Sequence, residues 1–317
     1  MDKFHTRVDI RESGIKIDHR TKCLLAGSCF SDYIGKIMAD YKFPVLLNPF
    51  GTLFNPVSIS KDIRLLIRNK EFTGNDLYFY NDQWISFSHY TGFSGSDPDE
   101  SLAAINKGIS EGSSWLKETE FLILTFGTAW VYRFNETGSI VANCHKLPSS
   151  FFKKKLVKPG EIFSDYRNLF FELRTFNPRL KVIFTLSPVR HWSDGAINNQ
   201  LSKSTLHYAI QQMVKEFENA WYFPAYEIFM DELRDYRFYA SDMLHPSETG
   251  TRYVWDRFCE TWVSDESTKI MAELEPVIKA LNHRPVNPDS QAHKKFRENT
   301  QNKIREFSRK YPFLGFE

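Results

Sequence analysis

Several absences narrow the field before any motif is considered. None of the four cysteines (Cys23, Cys29, Cys144, Cys259) forms a CxxC pair, so neither zinc-ligand nor redox spacing is present. Free thiols in a reducing cytoplasm are the simplest expectation. No apolar run approaches the length of a membrane span. The leading residues Met1-Asp2-Lys3-Phe4-His5-Thr6-Arg7 are polar and lack a signal core. An excess of charge of one sign is missing too: 41 Lys and Arg against 39 Asp and Glu leave a net charge of +2. That balance makes no electrostatic case for nucleic acid or an acidic partner. There is no internal repeat and no low-complexity tract.

What is present suffices for a sizeable core. The chain has 317 residues, 42% hydrophobic and 15% aromatic, enough for one large domain or two small ones. Buried-strand runs occur at Cys23–Ala26, Phe121–Phe126 and Lys181–Leu186, with shorter ones at Val45–Leu47 and Trp221–Phe223. Continuous apolar runs of this kind suit strands covered on both faces, as in parallel sheets. Helical stripes lie between them: Phe30 to Tyr41, Val57 to Ile67, Asp97-Pro98 to Leu116, Ile162 to Phe176 and Leu206 to Phe217. Two β-hairpins are expected as insertions, around Asn81-Asp82-Gln83 and around Asn135 to Gly138. They carry Tyr78, Tyr80, Trp84, Trp130 and Tyr132, which either wall a pocket or pack on the sheet. The alternation predicts an α/β fold with helices on both sheet faces. Residues 1–21 read as a lead-in, 22–262 as the main domain, and 263–317 as a helical, polar extension with a solvated basic face.

In such sheets ligands sit beyond the carboxyl ends of the strands. Ser28 stands there, after Gly27 and before the first helix. A serine at that place is either a helix N-cap or a nucleophile facing the helix N–H groups. Thr128, Arg190 and His191 follow other apolar runs and face the same rim. Arg190 either clamps an anionic or polar substrate group or forms a structural ion pair. Cys29, at the helix start, admits a thiol mechanism but also a buried, inert role. Late in the chain Asp242-Met243-Leu244-His245 supplies a carboxylate and an imidazole on one turn. That is the pairing a serine needs for a general base held in one tautomer. The alternative is a turn-capping Asp and a packed His.

Gly27-Ser28-Cys29-Phe30-Ser31 resembles the signature of the GSCFA family, a bacterial group within the SGNH/GDSL-like hydrolases, with Ser31 where the family name has alanine. Further stretches resemble the same family. They are Asn48-Pro49-Phe50-Gly51-Thr52, Thr125 to Tyr132, Asn143-Cys144-His145-Lys146, Ser187-Pro188-Val189-Arg190-His191, and Asp242 to Pro246. The resemblance spans about residues 20–262. It implies a flavodoxin-like three-layer sandwich with a mainly parallel five-stranded sheet, and a Ser28–His245–Asp242 triad with Ser28 as nucleophile. It also implies oxyanion donors in the backbone N–H groups of Ser28 and Gly51, within a loop that includes Asn48. Where the wider class has Gly-x-Asn-Asp, this chain has Gly127-Thr128-Ala129-Trp130, so the asparagine donor is missing. Thr128, Asn143 and His145 are candidate replacements. The implied activity is a serine esterase on a small acyl ester, by analogy an acetylated carbohydrate, with no metal or cofactor and no nucleic-acid or membrane partner. An acyltransferase on the same triad and a non-catalytic binding protein are the alternatives.

Overall fold

The computed structural model describes residues 6–12, 14–283, 285, 287 and 290–316. Met1 to His5 of the polar lead-in, and Pro288 in the extension, lie outside the described residues. In chain order the elements begin with β1 (Cys23–Gly27), α1 (Cys29–Asp40), β2 (Val45–Leu47) and α2 (Pro56–Ile67). Next come β3 (Tyr78–Tyr80), β4 (Gln83–Ile85), α3 (Pro98–Glu118), β5 (Phe121–Phe126), β6 (Trp130–Phe134), β7 (Ile140–Val141) and β8 (Phe152–Leu156). Then follow α4 (Pro159–Phe176), β9 (Lys181–Leu186), α5 (Gly195–Glu216), β10 (Ala220–Phe223) and the single turn α6 (Ala225–Glu227). The chain closes with α7 (Glu248–Trp262), α8 (Asp265–Leu281) and α9 (Gln291–Lys310).

The central sheet has five strands in the order β10-β9-β5-β1-β2, and every neighbouring pair is parallel. Its side chains alternate between two cores, as the strand pleat requires. Leu24, Leu122, Leu124, Val182 and Phe184 pack under α2, α3, α4 and α5. Cys23, Leu25, Phe121, Ile123 and Ile183 pack under α1, α7 and α8. This is the α/β layering expected from the alternation of runs and stripes. Burying a side chain of this size contributes about 1.5–3 kcal/mol, so the two layers dominate stability.

Both hairpins are present, and the second gains a third strand that the sequence did not announce. Asn81 and Asp82 take φ of 50° and 60°, the left-handed pair that a two-residue hairpin turn uses. β6 and β7 pair antiparallel, and β8 adds to the other side of β6. Its Lys153-Lys154-Lys155 run carries no apolar alternation, which hides it from a periodicity reading and suits an edge strand. The hairpins pack on each other through Tyr78, Phe87, Phe134 and Phe152. The lead-in is strapped to the end of α7: Ile17 N–H donates to Trp262 O at 2.7 Å, and Ser264 N–H to Ile17 O at 3.0 Å. Among the described residues no helix is long and apolar enough to cross a membrane.

Candidate active site

β1 ends in a turn that only glycine can make. Gly27 has φ +140°, and a Cβ built there would lie 2.2 Å from Thr125 O on β5. Its N–H donates to Asn48 Oδ1 at 2.8 Å. Asn48 Nδ2 in turn donates to Asp32 Oδ1 at 2.5 Å, and Thr52 Oγ1 donates to Asp32 Oδ2 at 2.8 Å. Asn48 is therefore a strut under the turn. The next residue, Ser28, is 1% exposed and caps α1, its Oγ accepting from Phe30 N–H at 3.4 Å. Burial, then the charge of Asp32, push the neighbouring Cys29 thiol up to about 11, which opposes a thiolate nucleophile.

The Asp242–His245 turn holds the second group of candidate residues. Asp242 Oδ1 accepts the backbone N–H groups of Leu244 and His245, both at 2.9 Å, and Oδ2 meets His245 Nδ1 at 2.6 Å. The His245 backbone bond, then that of Leu244, then the imidazole pull Asp242 down to about 2. The carboxylate thus fixes Nδ1 of the ring and leaves Nε2 open. Pro246, next to the turn, lines a groove with Tyr33 of α1. The charge of Asp242 reaches Tyr33, and that of His245 reaches His191. No hydrogen bond joins Ser28 Oγ to His245 among the described residues. Such bonds often tighten only when substrate is bound. A groove of about 870 Å³ between α1, α7 and α8 runs past Tyr33 to Pro246, beside this turn.

Between the two groups stand Gly127 and His191. A Cβ on Gly127 would lie 3.2 Å from His191 Nε2 and 3.4 Å from Ser28 Cβ. His191 is held by its N–H to Asn199 Oδ1 at 3.0 Å and by an edge-on contact with Phe54 at 5.3 Å. Burial, then Lys203, lower its pKa to about 4, so the ring is neutral at pH 7. Arg190 has no carboxylate within ion-pair distance among the described residues, and its buried Nε has no hydrogen-bond partner. Its guanidinium stands 5.4 Å from the Trp192 ring.

The remaining expected residues have structural partners. Gly51 N–H donates to Asn48 O at 2.7 Å, and its φ of +81° and contact with Tyr90 explain the glycine. Thr128 Oγ1 pairs with Ser202 Oγ at 3.1 Å and accepts from Trp130 N–H at 3.1 Å. Asn143 Oδ1 accepts from His145 N–H at 2.8 Å, and His145 Nε2 meets Ser86 O at 2.8 Å. Asn143 and His145 thus belong to the hairpin layer. Trp130 and Tyr132 flank Lys154, which pairs with Asp194 beside the rim.

One group escaped the sequence reading. Lys203, 1% exposed, donates from α5 to Gly127 O at 2.8 Å and Ser187 O at 2.7 Å. Burial drops its pKa to about 7. With Asn199 under His191 and Ser202 under Thr128 and Ala129, it makes one face of α5 a clamp on the rim loops. The signal was available: Asn199, Lys203, Leu206 and Ile210 follow helical spacing, so the polar residues share the buried stripe.

A family model described as the GSCFA family matches residues 22–258, and a second, described as GSCFA domain protein, C-terminal domain, matches 274–317. No curated protein matches the chain. Solved structures with similarity include a family 3 carbohydrate esterase from Clostridium thermocellum (10% identity, 83% of this chain and 99% of that one, TM-score 0.36). Another is a carbohydrate esterase family 3 from Talaromyces cellulolyticus (11%, 82% and 98%, 0.36). A third is an acetyl xylan esterase from the rumen bacterium Butyrivibrio proteoclasticus (11%, 76% and 64%, 0.38).

Proposed function

The chain belongs to the GSCFA family, and from that premise we propose that it is a serine ester hydrolase acting on a small acyl ester. Ser28 attacks the carbonyl. His245 takes the Ser28 proton on Nε2 and returns it to the leaving alcohol. Asp242 holds the ring and stabilises the imidazolium. The observation that carries the reading is the 2.6 Å contact between Asp242 Oδ2 and His245 Nδ1, in a turn whose carboxylate charge reaches Tyr33 of α1. By family analogy the ester is an acetylated carbohydrate, which would meet Trp130 and Tyr132 where they flank Lys154. Transfer of the acyl group to a sugar hydroxyl in place of water needs no other residue.

Fluorophosphonate labelling tests the proposal. Wild type is expected to label, and Ser28→Ala to lose the label. Labelling that survives in Ser28→Ala and vanishes in Cys29→Ala moves the nucleophile by one residue. The missing Ser28–His245 hydrogen bond favours a second reading, a binding protein without chemistry, and absence of any label decides for it. Adding a sugar acceptor and identifying the product separates transfer from hydrolysis.

Asp242→Asn is expected to lower kcat about 10³-fold, less than for a fully buried orienting carboxylate because this one is half-exposed. Asp242, at about 2, stays ionised at every pH well above that value. A fall in kcat of the wild type below neutral pH therefore does not report its protonation.

A further inference from the structure

We propose that His191 is the oxyanion donor of this site, standing in for the asparagine that Ala129 replaces; the proposal rests on the serine-hydrolase reading and deepens it. The backbone donors of Ser28 and Gly51, and those of the loop after β5, are already engaged. Ser28 N–H donates to Thr125 O at 3.1 Å, and Gly51 N–H to Asn48 O at 2.7 Å. Gly127 and Thr128 both donate to Phe54 O, at 2.8 and 2.9 Å. Ala129 N–H donates to Ser202 Oγ at 2.7 Å. The loop expected to receive the oxyanion is thus closed onto Phe54 and α5.

The imidazole of His191 faces the opening that remains. Its Nε2 and the Cβ of Ser28 stand on either side of the space a Gly127 side chain would fill. Both ring nitrogens lack a hydrogen-bond partner among the described residues, while Asn199 holds the His191 backbone N–H and Phe54 packs edge-on against the ring. Gly127 O is itself tied down by Lys203, so the opening has rigid walls. The charge state suits the role. Held neutral by burial, the ring offers one N–H, and it adds no positive charge beside His245 when that ring becomes an imidazolium. A cationic donor there would oppose the proton transfer.

The step balances. Ser28 Oγ bonds to the carbonyl carbon as its proton passes to His245 Nε2. The C=O π pair moves onto the oxygen, which accepts the Nε2–H of His191. When the pair returns, the alcohol leaves with the proton from His245, and the acyl group remains on Ser28.

The test measures kcat and KM for p-nitrophenyl acetate, with fluorophosphonate labelling of Ser28 in wild type as the first reading. His191→Ala is expected to lower kcat about 10²–10³-fold with KM little changed. His191→Gln, which keeps an N–H of similar reach, is expected to recover about tenfold of that loss. Gly127→Ala, which fills the space, is expected to lower kcat as His191→Ala does. The ratio of wild-type to His191→Ala kcat should be constant from roughly pH 5.5 to 8, because a group at about 4 does not titrate there. A chain that labels at Ser28 but keeps kcat within about threefold in His191→Ala overturns the oxyanion assignment and leaves the nucleophile standing. A ratio that changes with pH across that range overturns it as well, by making His191 a proton carrier. A wild type that neither labels nor hydrolyses overturns both readings.

Discussion

Ser28→Ala is expected to lower kcat about 10⁶-fold while Tm falls by only about 2 °C. The two numbers separate the two roles a serine has at this position. As an N-cap, Ser28 accepts one long bond from Phe30 N–H, at 3.4 Å, and losing a cap costs about 1 kcal/mol. That is a small shift in a chain of this length. As a nucleophile, it is the atom to which the acyl group is joined, and no neighbour replaces it: the Cys29 thiol, pushed up to about 11, is protonated at neutral pH. Ester hydrolysis followed beside thermal unfolding by circular dichroism measures both. A fall in Tm with kcat retained would return Ser28 to the rank of a cap.

Gly27→Ala is expected to destabilise the protein by about 4 kcal/mol, read as a fall in Tm of about 10 °C. The new Cβ would meet Thr125 O at 2.2 Å and Thr125 C and N at 2.9 Å. These are backbone atoms of β5, and Thr125 O also holds Ser28 N–H at 3.1 Å. The strand cannot give way without opening the ladder, and φ of +140° is itself unfavourable for alanine. Gly138 offers a control. It has φ of +68° but nothing within 4 Å of its built Cβ, so Gly138→Ala carries the conformational penalty alone, about 1 kcal/mol. Equal effects at the two glycines would show that the close approach to β5 contributes nothing.

The sheet was legible because burial on both faces leaves unbroken apolar runs, as in Phe121–Phe126 and Lys181–Leu186, and because caps such as Asp97 before Pro98 mark helix starts. β8 was not, since its pairing with β6 rests on backbone bonds that three lysines do not advertise. Ser28, Asp242 and His245 could be proposed as candidates from position and pairing, and Arg190 and His191 from the rim they were expected to face. What each residue donates to could not be read. Thr128 and Gly51 carry the donors a catalytic loop needs, yet their hydrogen bonds close within the fold, and only coordinates reveal that. Lys203 was passed over for a different reason. A buried lysine 76 residues from the carbonyl it holds leaves no local trace beyond a polar break in an apolar stripe.

That lysine places a constraint on how the chain can vary in length. Asn199, Ser202 and Lys203 reach His191, Ala129 and Gly127 from one side of α5. Inserting one residue in the first turn of that helix, ahead of Asn199, would rotate the side by about 100° and withdraw all three supports together. Loops elsewhere in the fold absorb insertions at little cost. The stretch from Gly195 to Asn198 is instead a spacer of fixed count, a ruler that keeps the helix in phase with the rim.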